Sequence, residues 1–317
     1  MKDVIMKPLG AGKTAPAIIR ILLAVLIAIV PVQASCYQKA GEREPFTAVI
    51  GYSSSIFTHL VKENSQAAAR LWSNLVIRNN NGSAETRIFQ NCSEMEKELK
   101  EGKIDLLILL SNEYLGLKNR GLLEPLFISA RGEELYDTFI LITRKDSGIH
   151  SVVDLRGKAF LQQSGSHCEI HRLWFDMLMM KQGVHEPGRF FSFLKDVIGP
   201  SQAVMPVFFK RADACILSRR SFDVMAELNP QLRRDLQIIE ASTPVATGVI
   251  CIRKGCDRVQ RERLIEVLET LDRDVEGRQL LTLFRMSRLV PFRPEYLTSV
   301  EAFLKEYNEL RTRSRKR

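Results

Sequence analysis

The chain has 317 residues, of which 45% are hydrophobic and 26% charged, enough apolar material for two packed cores and too much for a disordered or fibrous protein. Its formal charge of +9 is concentrated at the termini: residues 1–34 carry a net +3 and Arg311–Arg317 hold five cations, leaving about +1 for the body. A basic groove for nucleic acid is thereby disfavoured, no nucleic-acid partner is expected, and residues 311–317 read as a solvated basic tail.

Lys2, Lys7, Lys13 and Arg20 precede an apolar run from Ile21 to Val32 that is too short to span a bilayer. Val32-Gln33-Ala34 has the small-residue pattern of a signal-peptidase site, so residues 1–34 are expected to be a signal peptide and the mature chain periplasmic. Cys36 follows closely, and lipid anchoring at this cysteine is the alternative to a free N-terminus. The remaining cysteines, 92, 168, 215, 251 and 256, have spacings that fix no disulfide, and Cys251 and Cys256 lack the paired C-x-x-C pattern of a zinc site. Buried thiols are the simpler reading.

From Phe46 the pattern becomes that of an α/β protein. Phe46–Ile50 reads as a strand, running through Gly51–Ser55 into a helix to about Ile77. A second strand at Glu85–Phe89 leads to Ser93 with Glu96 three residues on, a capping box opening a helix that Gly102 closes. Ile104–Leu110 is a continuous apolar strand, of the kind buried on both faces, and ends in Ser111-Asn112-Glu113-Tyr114. Phe127–Ala130 and Asp137–Arg144 are further extended runs.

The order then repeats. Ser151–Lys158 is a short turn of helix ahead of a strand at Ala159–Gln162, a polar loop Gln163–His167 and a long amphipathic helix. A strand at Phe190–Leu194, a helix at Ser201–Lys210 and a strand at Ala212–Leu217 follow, the last ending in Ser218-Arg219-Arg220. A helix at Ser221–Glu227 and strands at Leu236–Glu240 and Thr243–Arg253 come next, and two helices near 259–284 and 294–310 finish the chain. Strands alternating with helices predict mainly parallel sheets with helices on both faces.

These pieces resemble the type II periplasmic solute-binding proteins of ABC importers, most closely the phosphate/phosphonate-binding branch, over most of residues 46–256. The resemblance is carried by Ser151–Lys158 as an S-x-x-D-L-x-G-K segment, by Ser164–His167 as the polar loop before a helix, and by Ala203–Leu217 as an A-V-x-x-V-x-x-x-x-A-D-A helix and strand. Ser242-Thr243-Pro244 ahead of Val249-Ile250 is similar to the family's return strand. The chain departs from the family at Ile198–Gln202, where a Gly-Gly-His or Gly-Ser-His element is usual. The resemblance implies a two-lobed fold joined by two crossover strands, here near Phe139–Thr143 and Val245–Ile250. The first lobe would comprise residues 45–140 and, with the return strand and C-terminal helices, 248–310; the second would comprise 141–247.

Ligands of open α/β sheets bind outside the strands' carboxyl ends, which singles out four loops. Tyr52-Ser53-Ser54-Ser55 and Ser164-Gly165-Ser166-His167 place hydroxyls and backbone N–H groups at helix starts, where unpaired donors and the helix dipole favour an anion; helix capping is the competing role. Ser111, Asn112 and Tyr114 follow the most apolar strand, and Ser218 and Arg219 follow another, with Arg219 able to fork a phosphate or pair with Asp223. His167 and His171 lack a third metal ligand, and no G-x-S-x-G elbow, P-loop or dinucleotide fingerprint is present, so no catalytic residue, metal or cofactor is expected. The expected function is capture of a small anionic ligand, such as phosphate or phosphonate, by a monomer that delivers it to an ABC permease. Feeding a membrane sensor, or an enzyme on the same fold of the pyrimidine-synthesis type, are the alternatives.

Overall fold

In the computed structural model, which describes residues 46–57, 62–78, 82–163 and 170–314, β1 (Phe46–Ser53) buries Ala48, Ile50 and Tyr52 completely. This alternation is that of a strand with one face under a helix. The helix is α1 (Lys62–Arg78), whose Ala69, Trp72 and Val76 share a core with those residues. β2 (Gly82–Phe89) pairs with β1 in parallel, and α2 (Cys92–Lys100) follows. Its cap is Asn91, which accepts the Glu94 N–H while Glu94 accepts from Asn91 Nδ2. The expected box at Ser93 and Glu96 is therefore displaced by two residues: asparagine is an equally strong N-cap, and Ser93 lies inside the first turn. β3 (Leu106–Leu110), buried nearly throughout, pairs in parallel with the other side of β1.

After α3 (Ser111–Gly116), β4 (Leu123–Ala130) extends the first sheet and β5 (Tyr136–Asp137) leaves it. The second sheet is built from β6 (Phe139–Arg144), β7 (Ala159–Gln163), β8 (Phe193–Val197), β9 (Ala214–Ser218) and β10 (Leu236–Ala241), in the order β10-β6-β9-β7-β8. Between them run α4 (Ile170–Lys181), α5 (Pro187–Phe190), α6 (Pro200–Phe208), α7 (Arg219–Leu228) and α8 (Gln231–Asp235). The chain returns through β11 (Val245–Ala246) into β12 (Gly248–Arg253), then α9 (Arg258–Thr270), α10 (Val275–Leu283), β13 (Arg288–Pro291) and α11 (Thr298–Ser314). The first sheet is thus β13-β4-β12-β3-β1-β2. Separate apolar cores lie on each face of both sheets.

Parallel pairing is confined to β2-β1-β3 and β8-β7-β9; the strands adjoining the crossovers, β12, β4, β6 and β10, pair antiparallel. The two parallel cores share one device. Asp105, just ahead of β3, accepts the Val49 N–H at 2.9 Å and gives its own N–H back to the Val49 carbonyl. Asp213, just ahead of β9, does the same with Ala159, accepting at 2.7 Å. A carboxylate at this point pins the register of a strand pair whose slippage by one residue would invert its faces. In the Ser151–Lys158 segment, Asp154 accepts from the His150 and Ser151 N–H groups and the Ser151 hydroxyl, which holds its carboxyl below the ordinary range, and Gly157 takes a left-handed φ of +70°.

Three features depart from the reading of the sequence. The crossover is the antiparallel ribbon β5-β11, Tyr136 opposite Ala246 and Asp137 opposite Val245, while Phe139–Thr143 lies within the second sheet. β13, only four residues between two helices, is too short to show a period and exists because it pairs with β4. The last helix, α11, does not join the first sheet's cores: Val300 and Phe303 sit in the core of the second sheet with Trp174, and Lys181 of α4 pairs with Glu306 at 2.7 Å. Its stripe of apolar residues predicts a buried face but carries no information on which sheet covers it.

Candidate functional site

The loops at the carboxyl ends of both sets of parallel strands line one cleft of about 230 Å³, as expected for open α/β sheets. From the first sheet come Ser55 behind β1, Leu110 at the end of β3, and Ser129 and Arg131 at the end of β4. The second contributes Gln163 from β7, Ile198 behind β8 and Ser218 from β9. The antiparallel strands enter by their first residues, Phe139 and Gly248. A Cβ at Gly248 would stand 2.7 Å from the Ser129 hydroxyl oxygen, so a side chain there requires that hydroxyl to move.

Arg131, Asp137 and Arg285 are the charged side chains among the described residues lining the cleft, and all three also border a smaller chamber of about 100 Å³ beside the hinge ribbon. Arg131 Nε donates to the Arg285 carbonyl. Arg220, on the chamber's wall, donates to the carbonyls of Arg131 and Tyr136 and pairs with Glu134 at 2.9 Å. Burial pushes the Asp137 carboxyl above its ordinary range, against the pull of Arg220 and Arg131. Burial and the neighbouring Arg220 push the Arg131 guanidinium down. Arg285 occupies the left-handed region at φ +57° at the end of α10, which turns its backbone carbonyl toward Arg131.

The serines behind β1 are not the open donors that their sequence suggests. Ser53 and Ser55 each donate the hydroxyl proton to Oε1 of Glu113 at 2.7 Å, the Ser55 N–H goes to Ser53 Oγ at 3.1 Å, and Leu110 N–H donates to Glu113 Oε2 at 2.9 Å. Glu113 is 4% exposed, so a buried carboxylate of the protein takes the donors that an anionic ligand would use. Ser55 still lines the cleft; Ser54, half-buried, does not. Tyr52 is a core residue: its ring packs edge-on against Trp72, its hydroxyl bonds to Ser73 at 2.8 Å, and burial pushes its pKa up.

The other expected residues divide. Ser218 lines the cleft, accepts the Ser221 N–H, shares a hydrogen bond with Ser221 Oγ at 2.9 Å and another with the Asp137 carboxyl, and Ser221 lines the cleft beside it. Arg219, the first residue of α7, is exposed and lines an outer groove, outside the cleft. Ser111 is fully buried and donates to the Ala246 carbonyl at 2.5 Å, tying α3 to the hinge. Asn112 is buried and Tyr114 half-buried against the core between α2 and the first sheet, and neither lines the cleft. Ser164, Gly165, Ser166 and His167 lie outside the described residues, as do the proposed leader and Cys36; Gln163 and Ile170 on either side of the 164–169 segment both line the cleft. Cys215, Cys251 and Cys256 are free thiols, and burial pushes Cys256 up to about 11.

A family model for the periplasmic substrate-binding proteins of phosphonate ABC transporters matches residues 60–297. The chain belongs to that family. Solved structures repeat the fold of this substrate-binding protein. XAC2383 from Xanthomonas citri, bound to ATP, is 20% identical at a TM-score of 0.61, covering 84% of this chain and 98% of its own. The binding-protein component of an ABC phosphonate transporter from Pseudomonas aeruginosa is 12% identical at a TM-score of 0.60, covering 86% and 89%. PhnD1 from Prochlorococcus marinus, in complex with methylphosphonate, is 13% identical at a TM-score of 0.57, covering 83% and 98%. No curated protein matches. Among the described residues of the substrate-binding protein, no helix is long and apolar enough to cross a membrane.

Sequence reasoning missed Ser129, Arg131, Thr247 and Arg285 of this binding protein's cleft. Arg131 was within reach: it follows the extended run Phe127–Ala130, and the strand-end rule applies to it as to the four loops chosen. Arg285 carried no such signal, since it sits at the end of a helix and reaches the cleft only through its left-handed turn.

Proposed function

We propose that this substrate-binding protein captures a small oxyanion of the phosphate/phosphonate class between its two sheets and presents it to an ABC permease. It would act as a monomer, after export by residues 1–34 or attachment through Cys36, and release its ligand unaltered. The supporting observation is Arg131, a partly buried guanidinium at the end of β4 in a cleft that also holds the hydroxyls of Ser129, Ser218 and Ser221. An oxyanion there gains charge-assisted hydrogen bonds in a partly water-excluded site. The hinge ribbon β5-β11 borders the same cleft through Asp137, so drawing the sheets together on the ligand is the natural closing motion. As a further part of this proposal, Ser164–His167, outside the described residues, would supply more donors.

Titration calorimetry with methylphosphonate and with inorganic phosphate tests the proposal. The unmodified protein is expected to bind, and Arg131→Gln to weaken binding by roughly ten- to a hundredfold, the value of one hydrogen bond to a charged group. An absence of binding to any oxyanion, or an Arg131→Gln variant with unchanged affinity, would overturn it.

A further inference from the structure

Arg131 begins a tight turn that is held from both sheets. Behind β4 the chain reverses through Gly132, at φ +60°, and the N–H groups of Arg131 and Glu134 each bond to the other's carbonyl, at 3.0 and 3.2 Å. On the first-sheet side, the Ser287 hydroxyl oxygen accepts the Gly132 N–H at 2.8 Å, while Arg288 of β13 donates to the Gly132 carbonyl at 3.2 Å and pairs with Glu133 at 3.0 Å.

The second sheet reaches the same segment through three consecutive residues at the junction of β9 and α7. Ser218 is hydrogen-bonded to the Asp137 carboxyl, the Arg219 N–H donates to the Thr138 carbonyl at 2.7 Å, and Arg220 closes over the turn itself. Arg220 Nη1 donates to the Arg131 carbonyl at 3.1 Å; Nη2 donates to the Tyr136 carbonyl at 3.2 Å and pairs with Glu134 at 2.9 Å. A planar guanidinium presents these donors in a fixed fork that grips both ends of the turn at once, where a lysine offers one compact charge. A surface ion pair is the plainer role for Arg220, but it accounts for little of this arrangement. The Glu134 side chain is 72% exposed and that of Arg220 17%, so water screens their attraction while the two carbonyl bonds are sheltered.

Resting on the proposed capture of an oxyanion at Arg131, we infer that Arg220 is a positioning residue for that capture. It lines the hinge chamber and not the cleft, and it acts through the turn it grips, fixing Arg131 of the first sheet against Ser218 and Ser221 of the second. With the turn released, Arg131 has to be ordered at each binding event, which weakens capture by about two- to tenfold.

A double-mutant cycle read by calorimetry with methylphosphonate tests this. Arg220→Gln is expected to weaken binding by about two- to tenfold, and Arg220→Lys nearly as much, because lysine keeps the charge and loses the fork. With Arg131 already replaced by glutamine, adding either change at Arg220 should alter affinity by less than about twofold, since the residue through which Arg220 acts is gone. A general structural defect would lower affinity in both backgrounds. Arg220→Lys retains the charge that pairs with Glu134, so it completes the cycle if Arg220→Gln does not fold. An Arg220→Lys variant that binds as tightly as the unmodified protein, or equal losses with and without Arg131, would overturn this inference and leave oxyanion capture standing. Absence of binding by the unmodified protein would overturn both.

Discussion

Replacing Glu113 by glutamine is the sharpest perturbation of the first sheet's ligand edge. The carboxylate receives the Ser53 and Ser55 hydroxyls on one oxygen and the Leu110 N–H on the other. An amide keeps only one of these oxygens as an acceptor: with it on the Leu110 N–H, the NH2 meets the serine oxygens and their hydroxyl protons lose the acceptor, and with it on the serines, the NH2 faces the Leu110 N–H. One partly buried N–H or hydroxyl loses its partner, at about 1–3 kcal/mol, and the remaining bonds lose their charge assistance, at roughly 1 kcal/mol more. Glu113→Gln is therefore expected to cost about 2–4 kcal/mol, and Glu113→Ala, which removes the shared acceptor of all three donors, somewhat more. In urea unfolding the midpoint should fall with the slope unchanged, and the melting temperature should drop by roughly 2–4 °C per kcal/mol for a protein of this size. A Glu113→Gln variant within about 0.5 kcal/mol of the unmodified protein, the range of an ordinary surface change, would refute the view that this carboxylate organises the loop.

Asp137→Asn tests the half-buried hinge carboxyl. Because burial raises its pKa in the folded state, the native protein binds its proton more tightly than the unfolded chain does, so stability falls as pH rises from the ordinary aspartate value to the raised one, and the loss is complete above it. The variant should gain stability relative to the unmodified protein at pH 7, with the gain shrinking as pH falls to the ordinary aspartate range; a gain that grows on acidification would contradict this sign. Gly248→Ala should lower oxyanion affinity at nearly unchanged helix content, since the new methyl must displace the Ser129 hydroxyl from the cleft wall; calorimetry and circular dichroism together check it. Tyr52→Phe should cost about 1 kcal/mol through its lost bond to Ser73 and leave ligand affinity unchanged, which a ligand-contacting tyrosine would not allow.

Much of the fold is local and could be read directly. Leu106–Leu110, an unbroken apolar run, became the buried β3, and the alternation of strands with helices became two α/β sheets. The S-x-x-D-L-x-G-K and A-D-A segments were legible because each contains its own physics: an aspartate that accepts neighbouring N–H groups, a glycine in the left-handed region, and a carboxylate that pins the next strand. The candidate site was legible only as a set of loops. Ser55 and Ser218 reach the cleft, but which of their protons face a ligand depends on Glu113 and Ser221. Arg219 and Arg131 look alike in sequence, each following a strand, and only one enters the cleft.

By itself, the sequence determined what short-range forces determine: the period of each strand and helix, the positions of turns, and the ends of strands where polar loops gather. Tertiary structure alone decided that β13 exists, that α11 covers the second sheet, that the crossover is the ribbon at Tyr136–Asp137, and that Arg131 and Arg285 stand at one end of the cleft. The reason is range. A hydrogen bond from Arg131 to a carbonyl 154 residues away, or a carboxylate that takes the protons of serines 58 and 60 residues upstream, leaves no mark on local pattern.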